Sequence, residues 1–446
     1  MQYRNLVVLI SSLLFYFIDG GYFTIILCSS IFFNYLAGLF LYSLQGNIKK
    51  YTLFLSIGIN LAPLIFYKYW MFFVQSTNDL SSLVNGRIHI EVPEILLLAG
   101  VSFFTFHAIS YLIDVYSLKV QPEKSVINFG MYMVNFPQLI AGPIVRYSEI
   151  ANVITARASS KEQIFLGLFT FVIGLVKKVV FADSAGVIAD DIFSISQDEL
   201  TTGLAWLGAL AYTLQIYFDF AGYSDMAIGL GRIMGFEFPE NFNQPYRAKN
   251  VTEFWRRWHM TLSRWFRDYV YIPLGGNKKG NLITLINLVI VFILCGLWHG
   301  AAYTFLVWGL YHGFLLVVER WLNSKFNFKT SGLFGQLVTF ILVLFGWVIF
   351  RSSSLSNAIG YIEIMLGLAE KTTILKEIFA HLRADKLLYL TIASICAVFP
   401  VEYLNSIKRH GSGVIIMEGI IMLILLIFCT ILIASNGFNP FIYFRF

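Results

Sequence analysis

Apolar stretches long enough to cross a bilayer recur along the whole chain and are separated by short polar segments. A helix needs about 20 apolar residues to span the hydrocarbon core of a membrane. The pattern therefore predicts an all-α, polytopic membrane protein with about 11 transmembrane helices. Their predicted bounds are 5–18, 22–43, 51–75, 95–118, 162–182, 201–233, 281–298, 300–321, 333–351, 387–405 and 415–435.

Two segments between these stretches are too polar to face lipid and too apolar to be ordinary loops. One is residues 126–147, with Pro137, Pro143 and Arg146, and the other is residues 251–276, where charges alternate with tryptophans and tyrosines. Irregular backbone at membrane depth is tolerated only inside protein or beside a water-filled cavity. Both segments are expected to be re-entrant or interfacial pieces that line a site.

No internal repeat and no separate soluble domain can be recognised, so residues 1–446 are expected to form a single membrane domain. The first apolar stretch, Leu6 to Ile18, follows Arg4 and has the length of a signal-peptide core. No small-residue cleavage site follows it, and the chain runs directly into the next apolar stretch. We therefore expect a helical hairpin at this end of the chain.

Hydrophobic residues make up 57% of the chain and charged residues 13%, a balance that excludes an ordinary water-soluble protein. No nucleic-acid partner is expected. The four cysteines, Cys28, Cys295, Cys396 and Cys429, lie in apolar stretches without paired spacing. They are expected to be small buried hydrophobic residues, and no disulfide, metal site or bound cofactor is predicted.

The distribution of lysine and arginine predicts the orientation of the chain in the membrane. The loop 44–50 ends in Lys49 and Lys50, whereas the loop 76–94 is mainly acidic. Residues 246–279 hold eight basic and two acidic residues, a net charge of +6 that equals the formal net charge of the whole chain. The first and third of these segments are expected at the cytoplasmic face, and the second is expected outside.

His299 lies in an otherwise apolar membrane segment, with small residues such as Gly296 and Gly300 on both sides. A titratable residue inside a membrane is a functional candidate, because desolvation makes it costly to keep there. Burial should hold the imidazole neutral, as a general base requires. The alternative is a core histidine bonded to a neighbouring helix, and catalysis or binding is favoured over it.

Histidine is the base that this sequence offers at membrane depth. No nucleotide-binding glycine loop, serine nucleophile elbow, HExxH or CxxC pattern appears in the chain. The reaction that suits a buried neutral histidine reached from two sides is acyl transfer, in which a hydroxyl attacks a thioester.

The stretch from Phe254 to Gly276 interleaves arginines with aromatic residues. Such a pattern is typical of a membrane interface, where rings lie at headgroup level and guanidinium groups bind phosphates. An amphipathic anchor that binds anionic lipid is slightly favoured for the arginines. A docking surface for an anionic donor, such as coenzyme A, is the functional alternative. His259 ends a tight aromatic cluster in this stretch, and the two interpretations are evenly balanced for it.

Asp219 and Asp225 lie six residues apart in the apolar stretch 215–227. Six steps of about 100° place them on faces of a helix that lean in opposite directions, so a paired acid site is not predicted. Each is expected to bind an arginine or a helix end in a structural role, and so is Asp114.

The remaining histidines are assigned no chemical role. His107 and His312 lie in apolar sequence and are expected to be core residues. His89, His381 and His410 fall in polar stretches and carry no functional signal.

Three stretches together resemble the signature of the membrane-bound O-acyltransferase family: Trp255–Ser263, Arg267–Gly276 and Leu297–Ala301. The Tyr-Ile-Pro-Leu-Gly-Gly step at 271–276 resembles the branch of the alginate O-acetyltransferase membrane subunit. Further matches to that branch are Ser102–Phe106, Asn135–Gln138, Ala141–Ile144, Tyr217–Asp225 and Pro440–Phe444. The resemblance covers nearly the whole chain.

Two features depart from the usual pattern of the branch. Its members begin with one more apolar helix before the element that matches Gln2–Asn5, so that helix is expected to be absent or truncated here. His107 stands where glutamine would be equally typical, which argues against a catalytic role for it.

The resemblance implies a ring of tilted helices around a thin, funnel-shaped core with a central tunnel. It implies that His299 is the essential histidine and that His259 lies toward the entrance of the donor. The catalytic residues expected from it are His299 and His259. The expected donor-binding residues are Trp298, Trp255, Arg256, Arg257, Trp258, Arg267, Asp268 and Tyr269.

The expected activity is O-acetylation of an extracytoplasmic polysaccharide by a protein of the bacterial cytoplasmic membrane. The donor would be a cytoplasmic thioester, with acetyl-CoA as the expected one. The resemblance also implies a partner, a secreted or membrane-anchored esterase-like acetyltransferase of the SGNH type, and membrane lipids surround the chain. Alginate, acetylated cellulose, peptidoglycan and other exopolysaccharides all fit as acceptors.

Three alternatives remain open. A D-alanyl transfer protein of teichoic acid synthesis belongs to the same family, but its pattern lacks the Pro273–Gly276 step and spaces the two histidines further apart. A secondary transporter of a small anion would show paired broken helices in repeated halves. The segments 126–147 and 251–276 do not resemble each other in that way. A scaffold for polysaccharide export would leave His299 unexplained.

Overall fold

The computed structural model describes residues 1–84, 86, 89–327, 330–368, 384–398, 412–437 and 439–442. The predicted helix 387–405 falls partly outside these residues, as does the Pro440–Phe444 match. His381 and His410 lie outside them entirely.

The described residues form helices and connecting segments, with no strand among them. The α-helices are α1 Gln2–Gly20, α2 Thr24–Ser43, α3 Gly46–Leu64, α4 Trp70–Leu83, α5 Val101–Tyr116, α6 Val126–Val134, α7 Phe136–Leu139, α8 Tyr147–Thr155, α9 Lys161–Val176, α10 Asp183–Phe193, α11 Thr202–Ile233, α12 Val251–Arg257, α13 Met260–Phe266, α14 Asn281–His299, α15 Tyr303–Phe326, α16 Gly332–Arg351, α17 Leu355–Met365, α18 Ala384–Val398 and α19 Ser412–Asn436. The predicted all-α class is confirmed.

Seven helical segments of the described chain are long and apolar enough to cross a membrane. They are Gln2–Ser43, Gly46–Leu83, Lys161–Phe193, Asn281–His299, Tyr303–Phe326, Gly332–Arg351 and Ile415–Ser435. The predicted count of about 11 is not confirmed, because the first run joins two predicted helices and α5 has only 16 residues. The chain is a multi-pass membrane protein.

The described residues cluster into two compact units. Unit 1 contains 1–164, 230–239 and 300–302, and unit 2 contains 165–229, 240–299 and 303–446. The expectation of a single membrane domain stays a prediction.

Unit 1 is joined by polar bonds between its helices. Asn5 on α1 donates to Asn128 on α6 over 2.7 Å, and Asn34 on α2 exchanges two hydrogen bonds of 2.8 Å with Asn60 on α3. Apolar burial gives little drive for helix association inside lipid, so such bonds help to select the neighbours of each helix.

The predicted irregular segment 126–147 belongs to unit 1 and is broken into short helices. Every residue from 128 to 147 except Phe136 is buried. Protein therefore encloses this backbone, and its re-entrant or interfacial placement stays a prediction. The prediction that the cysteines are buried is correct for Cys295 and Cys429 and wrong for Cys28, which is exposed. Cys28 lies on α2 in an apolar groove between α2 and α3, so an apolar stretch of sequence did not imply burial inside the protein.

Unit 2 is built around a close contact between α14 and α15. A methyl group added to Gly296 of α14 would overlap the carbonyl oxygen of Phe305, and one added to Gly309 of α15 would overlap that of Phe292. Glycines at these two positions allow the two backbones to touch. The contact places His299, the last residue of α14, against the side chains of α15.

Candidate functional site

Residues 246–279, called the basic segment below, contact α15 at the start of α12. The side chain of Asn250 caps this helix by accepting a hydrogen bond of 2.7 Å from the backbone N–H of Glu253. Glu319 of α15 accepts from the backbone N–H of Val251 over 2.7 Å and from the hydroxyl of Thr252. A carboxylate satisfies free N–H groups at a helix start and complements its partial positive charge.

His259 lies between α12 and α13 in a left-handed backbone conformation, with φ of +40°. Asn241 stabilises this turn, because its carbonyl accepts from the N–H of Met260 over 2.9 Å. Its side-chain oxygen lies 3.0 Å from Nδ1 of His259 and accepts from the Thr261 hydroxyl over 2.8 Å. The arrangement holds the imidazole in one orientation.

The hydrogen bonds of Asn241 also assign the tautomer of His259. The backbone N–H of Thr261 donates to Oδ1 of Asn241 over 3.3 Å, and Nδ2 of Asn241 donates to the Ser224 hydroxyl over 3.0 Å. Since Oδ1 is an acceptor, Nδ1 of His259 must carry the proton. Nε2 then holds the lone pair, and it has no hydrogen-bond partner among the described residues.

The His259 side chain is fully buried, and burial lowers its pKa to about 3. The imidazole is therefore neutral at physiological pH, because charging it would require desolvation of the cation. Its unpaired Nε2 is a buried hydrogen-bond acceptor. A buried polar atom without a partner is costly, and such atoms are frequent at functional sites.

An aromatic cluster joins the two predicted histidines. The ring of Trp298 lies 5.7 Å from the ring of His259 and 4.9 Å from that of His299. His299 also packs edge-on against Trp308 at 5.1 Å and Phe350 at 5.2 Å. His299 retains 9% of its surface exposed, whereas His259 retains none.

His312 belongs to the same cluster, although the sequence indicated a core residue. It is fully buried, as predicted, and its ring lies 5.0 Å from Trp308 and 5.1 Å from Trp255. Trp308 therefore contacts both His312 and His299. No sequence pattern indicated that this third histidine would share Trp308 with His299.

A cavity of about 400 Å³ lies beside the basic segment. Three predicted donor-binding residues line it, and they are Trp255, Arg256 and Arg267. Arg320 and Asn323 of α15 also line it, and the sequence analysis missed both. In the sequence both are polar residues near the end of an apolar helix. That pattern is equally typical of a helix end at the membrane surface, so it did not indicate a site.

The other predicted donor-binding residues do not line this cavity. Trp258 is buried and packs against Trp347 at 4.8 Å, and Trp298 lies between the histidines. Arg257 forms an ion pair of 2.9 Å with Glu253. Asp268 pairs with Arg267 over 2.6 Å, and Tyr269 is buried against Trp265 at 5.3 Å.

The carboxylates of α11 form ion pairs with lysines within this unit. Asp219 forms an ion pair with Lys178 over 2.7 Å and accepts from the backbone N–H of Ile442 over 2.9 Å. Asp225 pairs with Lys177 over 2.5 Å. Both lysines belong to a π-helical turn at Lys177–Ala182. In unit 1, Asp114 pairs with Lys119 over 3.4 Å, again with a lysine.

The chain matches a known family model over most of its length. Residues 12–356 match the membrane-bound O-acyltransferase family. Over 465 aligned positions the chain is 37% identical to the probable alginate O-acetylase AlgI of Pseudomonas putida, covering 100% of this chain and 95% of that protein.

Two other relatives carry different names. The chain is 38% identical to the peptidoglycan O-acetyltransferase of Helicobacter pylori, and the match covers 82% of this chain and 74% of that protein. It is 28% identical to the teichoic acid D-alanyltransferase of Bacillus subtilis, with 65% of this chain and 75% of that protein covered. The resemblance seen in the sequence motifs is confirmed.

Proposed function

Since this chain belongs to the membrane-bound O-acyltransferase family, we propose that it takes an acetyl group from a cytoplasmic thioester and delivers it to an extracytoplasmic polysaccharide. The protein is a multi-pass membrane enzyme, an O-acyltransferase. Relatives named as acetylases of alginate and of peptidoglycan support acetyl as the acyl group and a glycan as the acceptor.

One observation carries the proposal: Trp298 lies between two histidines that differ in their surroundings. His259 lies in the basic segment, and His299 ends an apolar helix. The segment 246–279 attracts an anionic donor from the cytoplasm, and His299 meets the acceptor deeper in the membrane. Transfer inside the membrane lets the acetyl group cross while the carrier thiol stays on the donor side.

The cavity beside α12 supports a phosphopantetheine thioester such as acetyl-CoA as the donor. Its guanidinium groups come from Arg256, Arg267 and Arg320, and guanidinium groups bind phosphate oxygens in a bidentate manner. Its inner wall is apolar and includes Trp255 and Phe292. A cavity of about 400 Å³ suits the pantetheine arm and leaves the nucleotide outside at the basic surface.

His299 is the general base of the proposed reaction. It removes the proton of the acceptor hydroxyl as the hydroxyl oxygen attacks the thioester carbonyl. The carbon–sulfur bond of the tetrahedral intermediate then breaks, and the thiolate takes the proton from the imidazolium. The products are an oxygen ester and the free thiol, so atoms and charge balance.

His259 supports the donor side. Its Nε2 can accept a hydrogen bond from an amide N–H of the pantetheine arm, because Nδ1 is committed to Asn241. The neutral state of the ring keeps this acceptor available across the physiological pH range. Trp298 separates it from His299, so the two histidines act on different parts of the substrate pair.

The final acceptor and the partner protein follow from the same proposal. The acetyl group passes to a hydroxyl of a polysaccharide outside the bacterial cytoplasmic membrane. A secreted or membrane-anchored SGNH esterase-like transferase completes the transfer to the sugar.

A D-alanyl transfer protein is the second candidate, and the lower identity to the relative of that name makes it less favoured. A small-anion transporter is a third candidate. Such a protein would carry the anion across the membrane without cleaving a thioester.

Reconstitution into liposomes separates these candidates. Acetyl-labelled acetyl-CoA, D-alanyl-loaded carrier protein and free labelled acetate are each supplied on the side of the basic segment. We expect consumption of acetyl-CoA with the thiol retained on that side. Acetate flux without thioester cleavage would refute the enzyme proposal. Turnover of the D-alanyl carrier protein alone would favour the D-alanyl transfer function.

A further inference from the structure

The side chain of His299 is surrounded by large aromatic rings. The centre of its ring lies 4.9 Å from that of Trp298, 5.1 Å from that of Trp308 and 5.2 Å from that of Phe350. The three ring planes stand at 77°, 86° and 79° to the imidazole plane, so all three contacts are T-shaped. Each of these rings exposes 3% or less of its surface. They are called the aromatic box below.

The walls of the aromatic box hold one another in place. Trp308 contacts Phe350 at 5.2 Å, and Trp347 stacks on Trp308 at 5.8 Å. Phe350 also packs against Phe305 at 4.8 Å and against Trp347 at 5.7 Å. The rings cannot turn away from His299 without disturbing this packing. They therefore present a fixed surface to any charge that develops on the imidazole.

The proposed reaction places a positive charge on this imidazole. The acceptor hydroxyl gives its proton to His299 as its oxygen bonds to the thioester carbonyl carbon, and the imidazolium later returns that proton to the departing thiolate. A cation in a buried site has lost most of its hydration, which is unfavourable. Groups that bind the imidazolium more strongly than the neutral imidazole therefore lower the barrier to transfer.

The faces of aromatic rings are groups of this kind. A ring face carries partial negative charge and attracts a cation that lies within about 6 Å of the ring centre. The three rings of the aromatic box are all within this distance of the imidazole. A carboxylate in their place would hold His299 protonated before the hydroxyl arrives, and the base would be lost. An uncharged ring face avoids this, because its attraction grows only as the proton is transferred.

We propose that the aromatic box is part of the catalytic apparatus: the edge of the imidazole points at the faces of Trp298, Trp308 and Phe350, and these faces stabilise the imidazolium of His299. The inference rests on the proposed function, in which His299 is the base. It adds Trp308 and Phe350, which the sequence did not indicate, as residues that set the strength of that base. Both act through His299 and need no contact with the substrates.

Fluorinated phenylalanines at position 350 test the inference. Phenylalanine with one, two or three ring fluorines replaces Phe350 in the full chain. Fluorine is close to hydrogen in size, so the packing changes little. Each fluorine withdraws electron density from the ring face, so its attraction for a cation falls step by step.

The rate of acetyl transfer is measured in a single turnover with acetyl-labelled acetyl-CoA. Inverted membrane vesicles of the strain that makes the chain are used, because they keep its own acceptor and partner on the inside. We expect the maximal rate to fall about twofold for each fluorine, with an unchanged thermal midpoint. The acetyl-CoA concentration that gives half the maximal rate should stay the same, since the donor binds before the imidazolium forms.

Two outcomes of this series overturn the inference. One is a maximal rate that does not depend on the number of fluorines in folded chains. The other is a rate that rises with fluorination, because it would show that the edge of the Phe350 ring, and not its face, points at the imidazole.

Phe129 provides the matched control. It is fully buried in unit 1, where its ring contacts those of Tyr35, Tyr111 and Tyr132. Three fluorines on this ring should leave the rate unchanged, and a fall equal to that at position 350 would overturn the inference. Phe350→Leu keeps an apolar side chain but has no ring face, so its rate should fall at least as far as with three fluorines. Transfer at the normal rate by folded Phe350→Leu would also overturn it.

His299→Gln separates this inference from the proposed function. If fluorination has no effect while folded His299→Gln is inactive, the proposed function stands and the inference fails. If vesicles that contain the unaltered chain consume no more acetyl-CoA than vesicles that lack it, the proposed function fails, and the inference fails with it.

Discussion

Nδ1 of His259 lies 3.0 Å from Oδ1 of Asn241, and this bond determines which nitrogen of the imidazole is available for chemistry. Oδ1 also accepts from the backbone N–H of Thr261, so it cannot be the amide nitrogen. The proton of His259 is therefore on Nδ1, and Nε2 is the acceptor. A residue 18 positions earlier in the chain controls the state of the predicted donor-side histidine.

Replacement of Asn241 tests this control. Asn241→Leu removes the acceptor for Nδ1–H and leaves that group buried without a partner, so the ring can reorient. We expect the rate of acetyl transfer to fall roughly tenfold or more, as is common when the group that orients a functional histidine is lost. Asn241→Asp keeps an acceptor at the same place and should retain more activity than Asn241→Leu. Equal loss in the two variants would argue against an orienting role.

The pH dependence of stability tests the burial of His259. Its pKa is lowered from 6.5 to about 3 in the folded chain, so the unfolded chain binds a proton first as the pH falls. The histidine therefore costs no stability above pH 6.5 and destabilises the fold progressively between pH 6.5 and 3, by at most about 1.4 kcal/mol per pH unit.

Thermal unfolding in detergent between pH 7.5 and 4.5 measures this effect. His259→Asn keeps a donor toward Asn241 but cannot titrate, so its unfolding midpoint should fall less steeply with acidification. His89→Asn, which changes an exposed histidine, should follow the unaltered chain. Parallel curves for all three proteins would show that His259 is not buried as described.

If the cavity beside α12 binds the donor, loss of one of its arginines should change KM for the donor without changing kcat. Arg256→Gln removes a guanidinium that would bind donor phosphate far from the reacting carbonyl. We expect KM for acetyl-CoA to rise about three- to tenfold. The rise is modest because Arg256 is solvent-exposed and salt screens its charge. Lys278→Gln removes one positive charge from the same basic segment outside the cavity lining, and its KM should change less. Equal effects would indicate general attraction by the segment and no specific phosphate site.

The glycine contact between α14 and α15 predicts a loss of stability. Gly296→Ala would place a methyl group onto the carbonyl of Phe305, and the two helices would have to separate. We expect destabilisation of about 1–3 kcal/mol, together with reduced transfer because His299 follows on the same helix. Gly58→Ala adds the same methyl group on α3 with no atom within 4 Å, so it should be neutral or slightly stabilising. A thermal midpoint that is unchanged in Gly296→Ala would contradict the close contact.

The sequence was sufficient to predict the all-α class, and His259 and His299 became candidate site residues through different signals. One lies among arginines and aromatics, and the other lies in apolar sequence, so each was unusual in its surroundings. Asn241 was missed because an asparagine in a polar connection has no distinctive neighbours. Its role depends on a contact across 18 positions of the chain.

Other differences arise from contacts that local sequence does not encode. Asp219 and Asp225 were expected to bind an arginine or a helix end, and consecutive lysines 41 and 48 positions earlier pair with them from a π-helical turn. Hydrophobic periodicity does not indicate which apolar helix carries the compensating charge. For the same reason it did not show that His312 would share Trp308 with His299.

The central claim is that His299 is the base for acetyl transfer, and transfer by a His299→Gln variant in liposomes tests it most directly. Acetyl-labelled acetyl-CoA is supplied at the basic face, and the acceptor glycan and the SGNH-type partner are supplied on the other side. Label on the glycan is measured beside the unaltered chain and His107→Gln, which changes another buried histidine. We expect the rate to fall by about 10²–10⁴ in His299→Gln, with an unchanged thermal midpoint, and to persist in His107→Gln. Transfer at the normal rate by folded His299→Gln would contradict the account.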